Sequence, residues 1–495
     1  MDSMSIFAQD QIEKLNRQIG DLARDFAGRT VDLYNGIKAQ PVYGSDDETR
    51  RRTLAALQDM AVPSGGRPVN EVYTEMLNDV YSDSPLPQHP RSFACVPSTA
   101  SLLSWLGDIM TGAFNPHASC RFNAPAADII ENKLLRWMGD LAGYPESSGG
   151  IFVSGGSIAN LTALTAARDT MLSVPERSRA VVYVSDQTHS SVAKGLLIIG
   201  FAREQIRVIP SDKNYCLDTI ALRDALAEDL KAGRKPFAVV ASAGTTNTGS
   251  VDPLKEIAAI CRSHNMWMHV DGAYGASALL SEKQRQALAG IELSDSISWD
   301  AHKWMLQTYG CSVVLVRDRA CLARSFAAHP EYLKDAQSSP DSIEFWDLGP
   351  ELTRPARALK LWLTLQVLGS RNMGLAVNHG CKMAELAEAL IRRQEGFEIV
   401  SGAHLGIVNF RYTGAGSLSD READLINQEI AARVTGSGFA QVFTTELSGR
   451  KVLRMCTINP QTTEEDISAT IEMLAAAAPA RGQHAQGLKT ADSVA

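Results

Sequence analysis

In the run Ser298-Trp299-Asp300-Ala301-His302-Lys303-Trp304, a lysine follows a short apolar segment. Upstream, His269-Val270-Asp271-Gly272-Ala273-Tyr274 carries an aspartate at the end of another such segment. A lysine amine can condense with an aldehyde, and a carboxylate facing an aromatic ring nitrogen keeps that nitrogen protonated. Pyridoxal phosphate needs both, because the protonated pyridine ring is what withdraws electrons. Each fragment alone is weak, since a lysine after a strand is usually a solvated charge and an aspartate at a strand end usually a turn former. Their order and spacing, together with three upstream motifs, favour the chemical reading.

Gly155-Gly156-Ser157 follows Ile151-Phe152-Val153 and opens a helical pattern through Asn160, Leu161, Leu164 and Ala167. Glycines let the backbone approach an anion, and the unpaired amides of a helix N-terminus favour a phosphate. A plain strand-to-helix turn capped by Ser157 is the simpler alternative. His189, in Ser185-Asp186-Gln187-Thr188-His189-Ser190-Ser191, could stack on a planar ring at a sheet's carboxyl edge, where α/β proteins bind ligands, or could belong to an ordinary capping cluster. Ala243-Gly244-Thr245-Thr246-Asn247-Thr248-Gly249-Ser250 offers hydroxyls that could meet a ring substituent or a phosphate, although such loops are also common turns. Polar groups following several separate strands thus converge on one edge.

The elements that would position them alternate strand and helix from about Arg91 to Gly369. Strands are expected at Ile151–Val153, Ala180–Val184, Ile206–Ile209, Phe237–Ala241, Trp267–Val270, Ser296–Trp299 and Ser312–Val316. Most are continuous apolar runs, as for strands covered on both faces by helices. The last two are separated by too little chain for a parallel crossover, so they should be antiparallel or not adjacent. An α/β fold with a seven-stranded, mostly parallel sheet and one reversed strand follows. Residues 1–90 read as an N-terminal helical arm and linker, 91–370 as a large domain, and 371–479 as a small α+β domain. Within the small domain strands are expected near Gly406–Tyr412 and Lys451–Ile458, and residues 480–495 read as a disordered tail. The arm has a narrow apolar stripe, Ile12, Leu15, Ile19, Leu22 and Phe26, which could cover its own domain or a second subunit.

Composition narrows the function classes. The net charge is −8, with no basic stripe, which argues against nucleic acid. No apolar run reaches the ~20 residues of a membrane span, and the start Met1-Asp2-Ser3-Met4-Ser5-Ile6 is not read as a signal peptide. Eight cysteines are scattered without CxxC or Cys/His clusters, so no metal site is expected and a reducing, cytoplasmic setting is.

Thr245-Thr246, His269-Val270-Asp271-Gly272-Ala273-Tyr274 and His302-Lys303-Trp304 resemble the fingerprints of the group II pyridoxal-phosphate-dependent amino acid decarboxylases. His89-Pro90-Arg91-Ser92-Phe93, Ala124-Pro125-Ala126, Ser185–Ser191 and Arg357-Ala358-Leu359-Lys360-Leu361-Trp362 extend the likeness over roughly residues 30–475. The resemblance implies pyridoxal-phosphate fold type I, like aspartate aminotransferase, and a homodimer with pockets at its two-fold interface. It implies that Lys303 forms the Schiff base, Asp271 pairs with the pyridinium nitrogen, and His189 and Ala273 pack on the ring's two faces. Gly156, Ser157 and His302 would help bind phosphate, with Thr246 near the ring's oxygen substituent. Tyr332, in His329-Pro330-Glu331-Tyr332-Leu333, matches the family's loop proton donor, and Arg354 an arginine near the substrate carboxylate, with a structural ion pair as its competitor. Asp300 stands where several members have asparagine, and an acid beside a phosphate would repel it.

Decarboxylation of an L-amino acid to an amine and CO2 is the expected reaction. An aldehyde synthase, which couples decarboxylation to oxidative deamination, is the alternative; plant examples carry phenylalanine at the position of Tyr332. An aminotransferase or cysteine desulfurase fits less of the chain, and a non-catalytic protein would not need the whole set. Phe93, Cys95 and Arg354 are the expected substrate contacts. Aromatic-specific relatives carry rings at the positions of Cys95 and Val96, so the side-chain class stays open between aromatic, acidic and aliphatic. Arg121 could meet an acidic side chain or be a paired interface residue.

Overall fold

A computed structural model describes residues 9–42, 47–82, 84–96, 98–328, 331 and 342–479. Seven strands form the central sheet: β1 (Gly149–Val153), β2 (Ala180–Ser185), β3 (Ile206–Ile209), β4 (Lys235–Ser242), β5 (Trp267–Asp271), β6 (Ser296–Asp300) and β7 (Ser312–Val316). Their order is β1-β7-β6-β5-β4-β2-β3. The strands from β3 to β6 are mutually parallel, and β7 runs antiparallel to both β6 and β1. The short link from Lys303 to Cys311 explains the reversal, since a parallel crossover takes a dozen or more residues. Every residue of β2, β5, β6 and β7 is buried, which is why these segments read as unbroken apolar runs.

The helix Gly156–Met171 connects β1 to β2 and packs across β5, β6 and β7. Its buried face is mostly alanine and threonine, small enough for close approach to the sheet. That packing aims its first turn at the carboxyl ends of β5 and β6.

A second sheet holds β8 (Phe397–His404), β9 (Ile407–Tyr412), β10 (Phe443–Leu447) and β11 (Arg450–Cys456), antiparallel in the order β10-β11-β9-β8. The sequence pattern shows the two central strands and misses β8 and β10. Both are edge strands with partly exposed residues, so neither carries a continuous apolar run. Helices Asp420–Gly436 and Glu464–Ala477 complete this unit, each opened by a capping box, Ser419/Glu422 and Thr463/Asp466.

The helix leading into the second unit starts well before residue 371, where the small domain is expected to begin. It spans Ala358–Ile391 and is interrupted at Gly369, whose φ of 74° lies in the left-handed region that glycine tolerates. At the other end of the chain, the helix Gln9–Asn35 carries the expected stripe, with Ile12, Leu15, Ile19 and Phe26 exposed on this chain. No helix among the described residues is long and apolar enough to cross a membrane.

Candidate active site

At the carboxyl edge of the central sheet lies a cavity of about 300 Å³. Gly155, Gly156, Ser157, His189, Thr246, Asp271, Ala273, His302 and Lys303 all line it, so nine positions from five segments of chain meet at one place. The five sequence motifs are therefore brought together, and Asp271 and Lys303 face the same space.

Asp271 ends β5 and is buried, with both oxygens held. Oδ2 accepts from Asn160 Nδ2 at 2.9 Å; Oδ1 accepts from Ser298 Oγ at 3.1 Å and from the Ala273 amide at 3.2 Å. Burial on its own would raise this carboxyl. The positive charge of Lys303, the neighbouring His269 and the Asn160 hydrogen bond outweigh it and hold Asp271 below the ordinary carboxylate range. Asp271 thus stays an anion at neutral pH, as a partner for a protonated ring nitrogen must.

Behind Asp271 runs a polar chain that the sequence alone did not reveal. Trp267 Nε1 donates to Ser296 Oγ at 2.8 Å, which pairs with His269 Nδ1 at 2.8 Å. His269 Nε2 meets Asn160 Oδ1 at 2.9 Å, and the Asn160 amide donates both to Asp271 and, at 3.0 Å, to Ser191 Oγ. Ser191 Oγ in turn lies 2.8 Å from His189 Nδ1. The partners give one consistent direction of donation if His269 is neutral, and burial pushes its pKa down to about 4. Asn160, one turn inside the helix Gly156–Met171, is the junction tying Asp271 to the His189 ring. The one sequence signal for it was its place in the helical pattern after Gly-Gly-Ser.

That helix begins at Gly155 rather than at a Ser157 cap, and no side chain caps it among the described residues. Its first amides open onto the cavity as an anion cradle. A methyl group at Gly156 would stand 2.9 Å from Asp300 Oδ2 and 3.3 Å from the Ala273 methyl, so this position needs glycine. His302 is anchored from its own side, with Nδ1 3.1 Å from the Cys311 carbonyl, and burial lowers its pKa.

The second sheet reaches the cavity through Arg454, another residue the sequence did not announce. From β11 its guanidinium donates to the carbonyls of Thr246, Asn247 and Cys95, at 2.7 Å to both Thr246 and Cys95. One buried arginine therefore fixes the Thr246 loop and the segment after Phe93 together. Tyr274 helps from the other direction: its ring stacks on Trp304 at 5.1 Å and its hydroxyl accepts from the Gly406 amide.

The expected substrate contacts are placed differently. Arg354 is 1% exposed and its guanidinium is consumed by Glu131, at 2.6 Å, and by the carbonyls of Ala118 and Phe152. This corrects the substrate-carboxylate expectation: removing such a cation from its buried partner would leave an uncompensated charge. Phe93 is likewise no wall of the cavity; its ring is 1% exposed within the core of the second sheet. Cys95 is exposed with φ 55°, and its thiol adds to the burial that raises the Tyr309 hydroxyl, a group that does line the cavity. Arg121 pairs with Asp128 at 3.0 Å. Tyr332, its neighbours His329 and Pro330, and the tail 480–495 lie outside the described residues.

A carboxyl-edge cavity with an amine, a buried anion and an uncapped helix N-terminus defines a site for an aldehyde cofactor bearing a phosphate. Residues 52–413 match the Pyridoxal-dependent decarboxylase conserved domain. The chain is 38% identical over 453 residues to the aromatic-L-amino-acid decarboxylase of Bacillus atrophaeus, covering 91% of this chain and 93% of that one. It is 32% identical over 461 residues to a phenylacetaldehyde synthase of Arabidopsis thaliana, covering 91% and 92%. Among solved structures, Oryza sativa TDC with PLP and tryptamine superposes with a TM-score of 0.87 at 30% identity, covering 93% of this chain and 97% of that one. The chain belongs to the pyridoxal-dependent decarboxylases. It is a carboxy-lyase of fold type I whose cofactor is pyridoxal 5'-phosphate, and it decarboxylates an amino acid. The donor set agrees with that cofactor: a cradle kept open by Gly156, an anion at Asp271 and an amine at Lys303 share one cavity.

Proposed function

We propose that this enzyme converts an aromatic L-amino acid into its arylalkylamine and CO2. The observation that carries the chemistry is the meeting of Lys303 and anionic Asp271 in one carboxyl-edge cavity. The aromatic class is supported by the aromatic-L-amino-acid decarboxylase relative and by the tryptamine-bearing neighbour. When bound, the cofactor supplies a sink for the electron pair left on Cα as CO2 departs. In this reading Lys303 provides the amine for its aldehyde, and Asp271 keeps its ring nitrogen protonated. The amides of Gly156 and Ser157, with His302, take its phosphate. His189 and Ala273 hold the two faces of its ring, and Thr246 its oxygen substituent. Tyr332 delivers the proton that Cα needs after CO2 is lost.

Screening the purified enzyme against the common L-amino acids for CO2, amine, aldehyde and peroxide tests this. Amine from tryptophan, tyrosine or phenylalanine is expected; faster turnover of an acidic or aliphatic substrate would overturn the aromatic assignment. The phenylacetaldehyde synthase relative gives the second reading its standing, and a tyrosine at 332 supports amine formation over it.

A homodimer is part of the same proposal. Helix Leu102–Phe114 and the helix Ala358–Ile391 leave an apolar groove lined by Met110, Phe114, Pro116, Leu359, Trp362 and Leu363. A second copy would cover that groove, together with the N-terminal stripe. Eight unpaired cysteines support a reducing, cytoplasmic setting. The division into arm, large domain and small domain near residues 90 and 370 is proposed with it, supported by the interruption at Gly369.

A further inference from the structure

Among the described residues lining the cavity, Asp300 is the one charged residue that the chemistry above leaves without a task. It ends β6, is buried, and brings Oδ2 to 3.1 Å from Lys303 Nζ and 3.5 Å from His302 Nε2. Its other oxygen, Oδ1, is buried with no hydrogen-bond partner among the described residues. A methyl at Gly156 would fall 2.9 and 3.1 Å from the two oxygens, so the carboxylate lies flat on the first turn of the helix Gly156–Met171. The positive end of a helix favours an anion there. Asp300 is therefore fixed from behind by the helix and open in front to the lysine. That placement is poor for gripping a phosphate, because two anions at one helix end repel. It is good for a counter-ion.

We propose that Asp300 is the seat of Lys303 whenever that amine is free, so that the lysine alternates between the cofactor aldehyde and the Asp300 carboxylate. The inference rests on Lys303 being the amine that takes the aldehyde. An ammonium has no lone pair with which to attack. It must first release a proton to solvent; its nitrogen then forms the bond to carbon, and the carbonyl oxygen leaves as water. By holding the protonated form, Asp300 slows capture of the aldehyde. In turnover the same seat draws the displaced lysine away from the substrate's Cα. The other groups acting on Lys303 are His302 beside it, Asp271 from β5, Tyr309 from the turn before β7 and Cys456 from β11. Of these Asp271 is the other anion, and its oxygens are already engaged by Asn160, Ser298 and Ala273.

The test uses full-length enzyme stripped of cofactor, exposed in turn to pyridoxal phosphate and to pyridoxal, with borohydride trapping and peptide mapping of the label. In Asp300→Asn, both aldehydes should be trapped on Lys303 several-fold faster near neutral pH. Asp300→Glu, which keeps the carboxylate, should stay close to the unmutated enzyme. Such a gain cannot come from a damaged fold, and Asp300→Ser gives the same comparison if Asp300→Asn is not recovered folded. Unchanged or slower trapping would overturn the proposal, as would acceleration with pyridoxal phosphate alone, which would assign Asp300 to phosphate repulsion. Label on a lysine other than Lys303 would overturn the underlying reading as well, and so is separable from failure of Asp300 itself.

Discussion

At the scale of single residues, the site divides into groups that carry the chemistry and groups that hold them. Lys303 belongs to the first kind, and among the described residues lining the cavity there is no second lysine. Lys303→Ala should therefore abolish both the yellow absorption of the bound cofactor and turnover. Retention of both, read by spectroscopy and CO2 release, would remove the central assignment. Tyr332 is tested by product rather than rate. Tyr332→Phe keeps the ring and deletes the proton, so CO2 should still be lost while amine formation falls by ~10²–10⁴-fold, the usual worth of a general acid. Aldehyde, ammonia and peroxide should rise in air and not under nitrogen. Unchanged amine output would place the proton donor elsewhere, with His189 the next candidate. Arg354 shows the limit of reading roles from motifs, because its guanidinium is spent on Glu131 and on the carbonyls of Ala118 and Phe152.

At the scale of elements, the strands of the central sheet were legible because burial on both faces writes them as continuous apolar runs. The reversed β7 followed from the shortness of one link. The edge strands β8 and β10 were not legible, since half-exposed edges carry no such run. Lys303, Asp271 and the Gly-Gly-Ser turn were legible because each sits at a strand end, whereas Asn160 and Arg454 act across elements far apart in sequence. Asn160 gives the sharper test of that hidden layer. Asn160→Ala removes a hydrogen bond to a charged group, worth about 1.5–3 kcal/mol, so cofactor affinity should fall about 10–100-fold in a spectral titration. Asn160→Asp is nearly isosteric yet should be worse, because it sets a second carboxylate against Asp271. His269 tests the same chain through pH. Its folded pKa lies near 4 against an ordinary 6.5, so between those values the unfolded chain binds the extra proton. Stability is thus fully present above about pH 6.5 and is lost as pH falls towards 4, by on the order of 3 kcal/mol for this group. His269→Gln should flatten that limb in denaturant unfolding. His89, also near 4, adds to it, and Asp252, raised to about 6, opposes it; both act equally in the two proteins and cancel from the difference. An identical slope in the variant would mean His269 does not titrate there.

At the scale of the whole molecule, the chain gathers the cofactor-facing residues in one cavity and leaves apolar surface exposed. The cavity lining is mostly glycine, hydroxyl, carboxylate, amide, imidazole and the Lys303 amine, with Tyr274 spent on Trp304 and Tyr309 the remaining phenol ring among the described residues. Among the described residues this offers little wall for an aromatic side chain, which would be expected to bury a large apolar area. Meanwhile Phe114 is 83% exposed at the end of its helix, and Met110 and Trp362 are exposed beside it. Exposed apolar patches of this kind mark contact surfaces, and a two-fold pairing would cover the same patch on both copies. Phe114→Glu places a charge at the centre of the proposed contact while disturbing little within one chain, since exposed positions contribute little to its own fold. The unmutated enzyme should sediment as two chains; the variant should sediment as one, with an unchanged circular dichroism spectrum. Its cofactor should still bind, because Lys303, Asp271 and the helix N-terminus belong to one chain. Its kcat/KM for an aromatic amino acid should fall far more than its cofactor affinity if, as in the proposed dimer, the second copy brings the substrate wall. An active single chain of the unmutated enzyme would refute the dimer, a fully active single-chain variant would show that the second copy brings no substrate wall, and equal loss of cofactor and substrate binding would show that the interface shapes the whole cavity rather than its substrate side.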